Sequence, residues 1–146
     1  MKKLFKVLIF LLLIGMSIAL LFIGNGYNMY KEAIENMPLE EKVEEIRSKE
    51  NYAEFSELPQ MYVNAVISVE DKRFYKHNGI DIIAIGRAAI NDIKAMSYVE
   101  GGSTITQQLA KNMYFTQEKK MERKIAEVFM AWTIESHYSK EDIFEF

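Results

Sequence analysis

Residues 101–112 read Gly-Gly-Ser-Thr-Ile-Thr-Gln-Gln-Leu-Ala-Lys-Asn, and this stretch decides how the middle of the chain folds. The two glycines interrupt regular structure, and Thr104 followed by Gln107 has the spacing of a capping box, in which paired side chains satisfy free N–H groups at a helix start. Apolar residues then recur on one helical face, at Ile105, Leu109 and Met113. The stretch therefore predicts a helix that begins directly after Ser103.

Helical patterns continue on both sides of this segment. Asp81 is a plausible N-cap for a preceding helix. The apolar stripe of that helix is Ile82, Ile85, Ala89 and Ile93. A following helix is predicted from about residue 117 to 136, with a broad stripe at Met121, Ile125, Val128, Phe129 and Trp132. No convincing strand pair or internal repeat occurs in the sequence, so the predicted class is mainly α.

The N-terminal segment has the composition of a membrane anchor. Residues 7–24 form an uncharged, largely apolar run that would span roughly 27 Å as a helix, close to the thickness of a bilayer core. Three basic residues, Lys2, Lys3 and Lys6, precede the run. In the fifteen residues after it, Lys31 is the one basic residue. This asymmetry places the N-terminus in the cytoplasm and the bulk of a single-pass protein outside the plasma membrane.

Two other interpretations of the apolar run are less favoured. A cleaved signal peptide is usually shorter and ends in a small-x-small site, whereas this run is followed by Ile23-Gly24-Asn25-Gly26-Tyr27. A buried core helix of this length would normally show a polar face. We therefore predict an uncleaved anchor over residues 1–24, an acidic helical connector over 25–57, and a further domain from residue 58 onwards.

Charge and cysteine content exclude several function classes. The net charge is -3, and because residues 1–6 hold three lysines and no acid, the remainder sums to -6. Such a chain is not a general nucleic-acid binder. The absence of cysteine excludes disulfides, thiolate metal sites and thiol catalysis. With 146 residues, of which about 120 follow the anchor, the chain has room for one domain beyond the membrane.

Four stretches resemble the motifs of glycosyltransferase family 51, the peptidoglycan polymerases. Residues 70–79, Glu-Asp-Lys-Arg-Phe-Tyr-Lys-His-Asn-Gly, resemble the first motif, and residues 101–112 resemble the second almost without departure. Residues 123–127, Arg-Lys-Ile-Ala-Glu, are similar to the third motif, and residues 140–146 to the opening of the fourth. The resemblance covers residues 58–146, and the fifth motif does not occur in the sequence.

The resemblance implies a mostly helical, lysozyme-like domain with a smaller, membrane-facing jaw. A helix start at Ser139 and Asp142 is followed by only four residues, and such a short helix is not stable alone. We therefore expect the domain of residues 58–146 to be incomplete, and expect Phe144 and Phe146 to lack local packing partners. Part of the stripe between Met121 and Trp132 is expected to stay uncovered.

The resemblance also implies a reaction. A sugar hydroxyl of the acceptor attacks the anomeric carbon of lipid II, undecaprenyl pyrophosphate leaves, and the anomeric centre inverts. By resemblance Glu70 is the base and Glu127 a second active-site acid that orients the donor or the basic side chains. An apolar floor of Val66, Ile67 and Val69 is expected to raise the proton affinity of Glu70. The implied substrate-binding residues are Phe74, Arg87, Ser103, Gln107, Gln108, Lys111, Lys119, Arg123 and Lys124.

Each of these residues also has a plainer interpretation. A lone acid after an apolar run is more often a cap or a surface group, and basic residues such as those between 111 and 124 usually form a solvated helix face. Glu127 lies one turn beyond Arg123, where an intrahelical pair is common. Lys119 stands where the family usually has arginine. The lysine keeps the positive charge but cannot bind a phosphate through two parallel N–H groups as arginine does. His77 is more typical of a loop-fixing residue than of a proton carrier.

The predicted partners are lipid II, the growing glycan strand and the membrane, and further cell-wall synthesis partners are left open. No tightly bound cofactor and no dedicated metal site are predicted, while a divalent cation at the pyrophosphate is left open. Two alternatives remain: a non-catalytic, truncated and membrane-anchored remnant of such an enzyme, and a lysozyme-like hydrolase. The hydrolase is disfavoured because cleaving a glycosidic bond in polymeric glycan does not require a site that binds pyrophosphate.

Overall fold

The computed structural model describes residues 2–97, 101–116 and 120–146, and within these ranges the fold is helical with no strand. The helices are α1 (Lys2–Asn36), α2 (Leu39–Arg47), α3 (Gln60–Glu70), α4 (Ile82–Ala95), α5 (Ile105–Tyr114), α6 (Met121–His137) and α7 (Lys140–Glu145). Two 3₁₀ turns lie at Phe55–Glu57 and Phe74–Lys76. The mainly α class is confirmed. The predicted α6 start at residue 117 lies outside the described residues.

Helix α1 is long and apolar enough to cross a membrane. All residues from 3 to 25 are exposed, and Gly26 is the first buried residue of the helix. The helix does not end with the apolar run at residue 24, because it continues to Asn36 and packs against α6. The first part of the predicted connector is therefore an extension of the anchor helix.

The core lies where α5, α6 and α7 meet. Its buried members include Phe74, Ala110, Met130, Ile134 and Ile143. Helix α2 docks onto the same core through Leu39, Val43 and Ile46.

Phe144 and Phe146 were expected to lack local packing partners. This was wrong for Phe146, whose partner Tyr138 is close in sequence, whereas the partners of Phe144 are distant in sequence. Phe144 lies edge-on to the rings of Phe55 and Phe74, with centroids 5.8 and 6.3 Å away. Phe146 lies edge-on to the ring of Tyr138, with centroids 5.1 Å apart. Helix α7 itself begins with the predicted Ser139 capping box. Phe55 and Phe74, which are distant in sequence, supply part of the packing that a six-residue helix needs.

The expected apolar stripe of α4 is formed but not buried. Asp81 caps the helix, because its carboxylate accepts hydrogen bonds from the N–H groups of Ile83 and Ala84. However, Ile82 is 80% exposed and Ile93 is 77% exposed, and Ala88 is the buried residue of the helix. Helix α3 is similar, since Val63 is its buried residue. Periodicity identified α4 but not the face of that helix that the protein covers.

Candidate active site

The candidate catalytic carboxylate is the last residue of α3. Glu70 is exposed, and its Oε2 atom accepts a hydrogen bond of 2.8 Å from Nε2 of Gln108 on α5. Both residues line a cavity of about 450 Å³, together with Arg87, Ser103 and Lys111. The first two motif stretches therefore face each other across one cleft, and an anionic acid shares that cleft with cationic side chains.

A second cavity of about 280 Å³ lies next to the first and is lined in part by α6. It shares Ser103, Gln108 and Lys111 with the first cavity. Its other lining residues are Gln107, Arg123, Lys124 and Glu127. The structure thus joins the candidate base to a basic cluster through common wall residues, as a site for a reacting hydroxyl and a departing anion requires.

The buried carboxylate of Glu127 pairs with two members of the basic cluster, which consists of Lys111, Arg123 and Lys124. The Glu127 side chain is only 1% exposed, and it pairs with Arg123 and with Nζ of Lys124, the latter at 2.9 Å. Lys124 also donates a 2.6 Å hydrogen bond to Oγ of Ser103. The predicted intrahelical pair is therefore present, and it also orients basic groups towards the cavity.

Lys124 has an altered proton affinity. Burial, followed by the positive charges of Arg123 and Lys111, lowers the pKa of its ammonium below the ordinary value of 10.5. The lowered pKa reflects burial of the ammonium first, and then the positive charges of its neighbours. Such an environment favours an anionic ligand, because the ligand would offset the repulsion among the three side chains.

Asp71, the neighbour of Glu70, fastens the first motif to the second. Its carboxylate lies 2.9 Å from Nε2 of His77 and accepts a 3.1 Å hydrogen bond from the N–H of Ile105. Oγ1 of Thr104 donates a 2.7 Å hydrogen bond to the carbonyl of Gly79. The loop-fixing interpretation of His77 agrees with these contacts. Because the contacts join residues far apart in sequence, the motif spacing alone did not identify Asp71 or Thr104 as positioning residues.

Gly79 allows this loop to approach α6. Its φ is +83°, and a Cβ atom there would lie 3.1 Å from the backbone of Ala131. A side chain at this position would meet both an unfavourable backbone conformation and a close backbone contact. The glycine that ends the first motif is therefore needed for packing the loop that begins at Glu70.

Three sequence-based assignments change or remain open. Phe74 was expected to bind substrate, but its side chain is fully buried in the core and has no surface to offer a ligand. Of the apolar floor expected beneath Glu70, Val69 is 78% exposed, whereas Val66 and Ile67 are half-buried. Lys119 lies outside the described residues. Within the described ranges, no group of three or more His, Asp or Glu residues could hold a metal ion.

The motif residues also carry a relationship to known proteins. A family model described as transglycosylase matches residues 37–146. The chain belongs to the transglycosylase family. The match begins within the segment that was predicted to be a connector, so α2 lies inside the region shared by the family.

Individual members of the transglycosylase family are similar to this chain over different spans. The chain is 52% identical to penicillin-binding protein 1F of Bacillus subtilis over 90 residues, which are 62% of this chain and 13% of that protein. It is 38% identical to the monofunctional glycosyltransferase of Staphylococcus haemolyticus over 145 residues, 99% of this chain and 52% of that protein. The chain thus spans about half the length of the Staphylococcus relative.

Proposed function

We propose that this chain is a peptidoglycan glycosyltransferase that polymerises lipid II into glycan strands and releases undecaprenyl pyrophosphate. The observation that carries the proposal is a pair of cavities with common wall residues: Glu70 and Lys111 line one, and Lys111, Arg123 and Lys124 line the other. The similarity to a monofunctional glycosyltransferase over 99% of this chain supports the same reaction class.

In the proposed reaction, Glu70 accepts the proton of the acceptor sugar hydroxyl as that oxygen attacks the anomeric carbon of the donor. One carbon–oxygen bond forms to the acceptor while the carbon–oxygen bond to pyrophosphate breaks, so the anomeric centre inverts. Gln108 donates to the Glu70 carboxylate at 2.8 Å and holds it at the cleft wall. A carboxylate in this position acts as a general base.

The basic cluster would stabilise the departing pyrophosphate. Lys111, Arg123 and Lys124 line one cavity, and charge-assisted hydrogen bonds to phosphate oxygens are about twice as strong as neutral ones. Glu127 would keep Arg123 and Lys124 in place before the substrate arrives. Arg87, which lines the Glu70 cavity, would contact substrate on the opposite wall.

Membrane attachment fits a lipid-linked substrate. Helix α1 is long and apolar enough to cross a membrane, and the lysines at positions 2, 3 and 6 favour a cytoplasmic N-terminus. The cleft would then lie on the outer side of the plasma membrane. We further propose that the growing glycan strand is the second substrate.

The test is a polymerisation assay on detergent-solubilised protein with lipid II as the only sugar donor. Glycan polymer and undecaprenyl pyrophosphate should both appear, and Glu70→Gln should lower the rate by at least about 100-fold, since a general base contributes about 10²–10⁴-fold. Glu44→Gln, on the exposed face of α2, is the control and should keep full activity. A folded wild-type sample that yields neither product would overturn the proposal in favour of a non-catalytic anchored domain.

A further inference from the structure

The exposure of α1 changes abruptly at one residue. From residue 3 to residue 25 every position is exposed, whereas Gly26 is buried and the residues at 29, 30, 33 and 34 are half-buried. This spacing is that of one helical face. The membrane-spanning part of α1 and the part that packs on the catalytic domain are thus consecutive segments of a single rigid helix.

The packed face of α1 lies along α6, and the two helices run in the same direction. A Cβ atom on Gly26 would lie 2.6 Å from Cβ of Ile125 and 2.9 Å from the carbonyl oxygen of Glu122, near the start of α6. Further along, the hydroxyl groups of Tyr30 and Thr133 are 2.9 Å apart. We call these contacts the α1–α6 seam.

The seam sets the level of the basic cluster relative to the end of the apolar run. Gly24 precedes Gly26 by two residues, which is about 3 Å along a helix. Because Gly26 lies against Glu122 and Ile125, the first turn of α6 is level with the end of the membrane segment. Arg123 and Lys124 belong to that turn. Their charges therefore lie where lipid headgroup phosphates would be.

We infer that the α1–α6 seam fixes the phosphate-binding end of the cleft at the depth of the lipid headgroups, and that Gly26 is the positioning residue that sets this depth. A lipid-linked pyrophosphate then reaches Arg123 and Lys124 without leaving the membrane surface. This consequence rests on the proposed function, whereas the depth itself does not.

The first experiment measures depth without activity. The chain has no cysteine, so a single introduced cysteine can be labelled cleanly. Fluorophores are placed by Met121→Cys at the exposed start of α6 and by Ser136→Cys near its exposed end, about 22 Å further along the helix. The proteins are reconstituted in phosphatidylglycerol vesicles that carry a headgroup spin label. The label at 121 should be quenched at least twofold more strongly than the label at 136.

The second experiment breaks the seam. Gly26→Leu cannot be accommodated beside Ile125, whereas a Cβ on Gly24 meets nothing within 4 Å, so Gly24→Leu is the matched control. Gly26→Leu should lose at least tenfold in kcat/KM for vesicle-embedded lipid II and less than threefold for a short-chain, water-soluble analogue. A merely structural role would lower both rates equally. Gly24→Leu should change neither rate.

If Gly26→Leu does not fold, inserting four alanines between Asn25 and Gly26 replaces it. The insertion turns the helix by about 400° and so keeps the packed face, but lifts the domain by about 6 Å. It should reduce quenching of the 121 label and the rate with vesicle-embedded lipid II. Equal quenching of the labels at 121 and 136 would overturn the inference even in an active protein. Wild-type inactivity with the expected quenching would refute only the proposed function.

Discussion

The two walls of the cleft are built differently. The wall formed by α5 and α6 contains buried polar side chains, among them Thr106, Gln107 and Glu127, and each has a hydrogen-bond or ionic partner. The wall formed by α3 and α4 buries one apolar residue in each helix and leaves large residues such as Ile82 and Ile93 exposed.

This difference matters for the chemistry that each wall would perform. The packed wall holds Arg123 and Lys124 on a buried carboxylate, so its charges are arranged before an anion binds. The candidate base Glu70 lies on the sparsely packed wall and is joined to the other wall by Gln108 and by the neighbouring Asp71. Regions with few buried contacts open most easily, so we expect the α3–α4 wall to move while the α5–α6 wall stays fixed.

The largest effect is expected from neutralising the carboxylate beneath the packed wall. Glu127→Gln removes the buried negative charge between Arg123 and Lys124, so the two cations repel each other and turn away from the cavity. Polymerisation of lipid II should fall by about 10²–10³-fold, the effect of losing preorganised charge. Glu122→Gln, in the same helix, is the control and should retain activity within about threefold. If Glu127→Gln and Glu122→Gln lose similar amounts of activity, the loss does not depend on the buried carboxylate between Arg123 and Lys124.

Truncating one apolar residue in each wall tests the packing difference directly. Met130→Ala, at a fully buried site of α6, should lower the free energy of unfolding by about 2–5 kcal/mol. Ile93→Ala, on the exposed face of α4, should change it by less than about 0.5 kcal/mol. Denaturant unfolding of the detergent-solubilised protein gives both values. A large loss for Ile93→Ala would mean that the α4 face is covered in solution.

A smaller effect is expected from pH. Because burial and neighbouring cations lower the pKa of Lys124, its ammonium should lose its proton at a lower pH than an ordinary lysine. Activity should therefore fall as pH rises through that lowered pKa. Lys124→Arg, which stays charged, should move this alkaline limb to higher pH. A pH–rate profile with lipid II measures the shift. If the wild-type protein and Lys124→Arg show the same alkaline limb, the charge of Lys124 does not contribute to anion binding.

The features predicted correctly from the sequence are local in the chain. The capping box at Thr104, the N-cap at Asp81 and the second capping box at Ser139 are each formed by neighbouring residues, and all three are present. The apolar run of residues 7–24 likewise identified a helix that is able to cross a membrane. The four motif stretches identified the family, which the match over residues 37–146 confirms.

The features that sequence reasoning missed depend on distant partners. Phe74 looked like a cleft residue because it follows Glu70 closely, yet contacts with Phe144 and Lys140 place it in the core. The α4 stripe looked buried because it is periodic, although periodicity does not say whether another element packs against it. The proposed boundaries at residues 24 and 57 stay predictions, even though α1 continues beyond the first.

The amino-acid sequence by itself determined where helices begin, which segment suits a membrane and which family the chain joins, because these properties depend on residues a few positions apart. Tertiary structure alone decided which faces are buried, that Glu70 and the cations of α6 line two cavities with common wall residues, and that Gly26 lies against Ile125. Those outcomes depend on contacts between residues up to about a hundred positions apart, such as Tyr30 and Thr133. Such contacts exist only after the helices have packed.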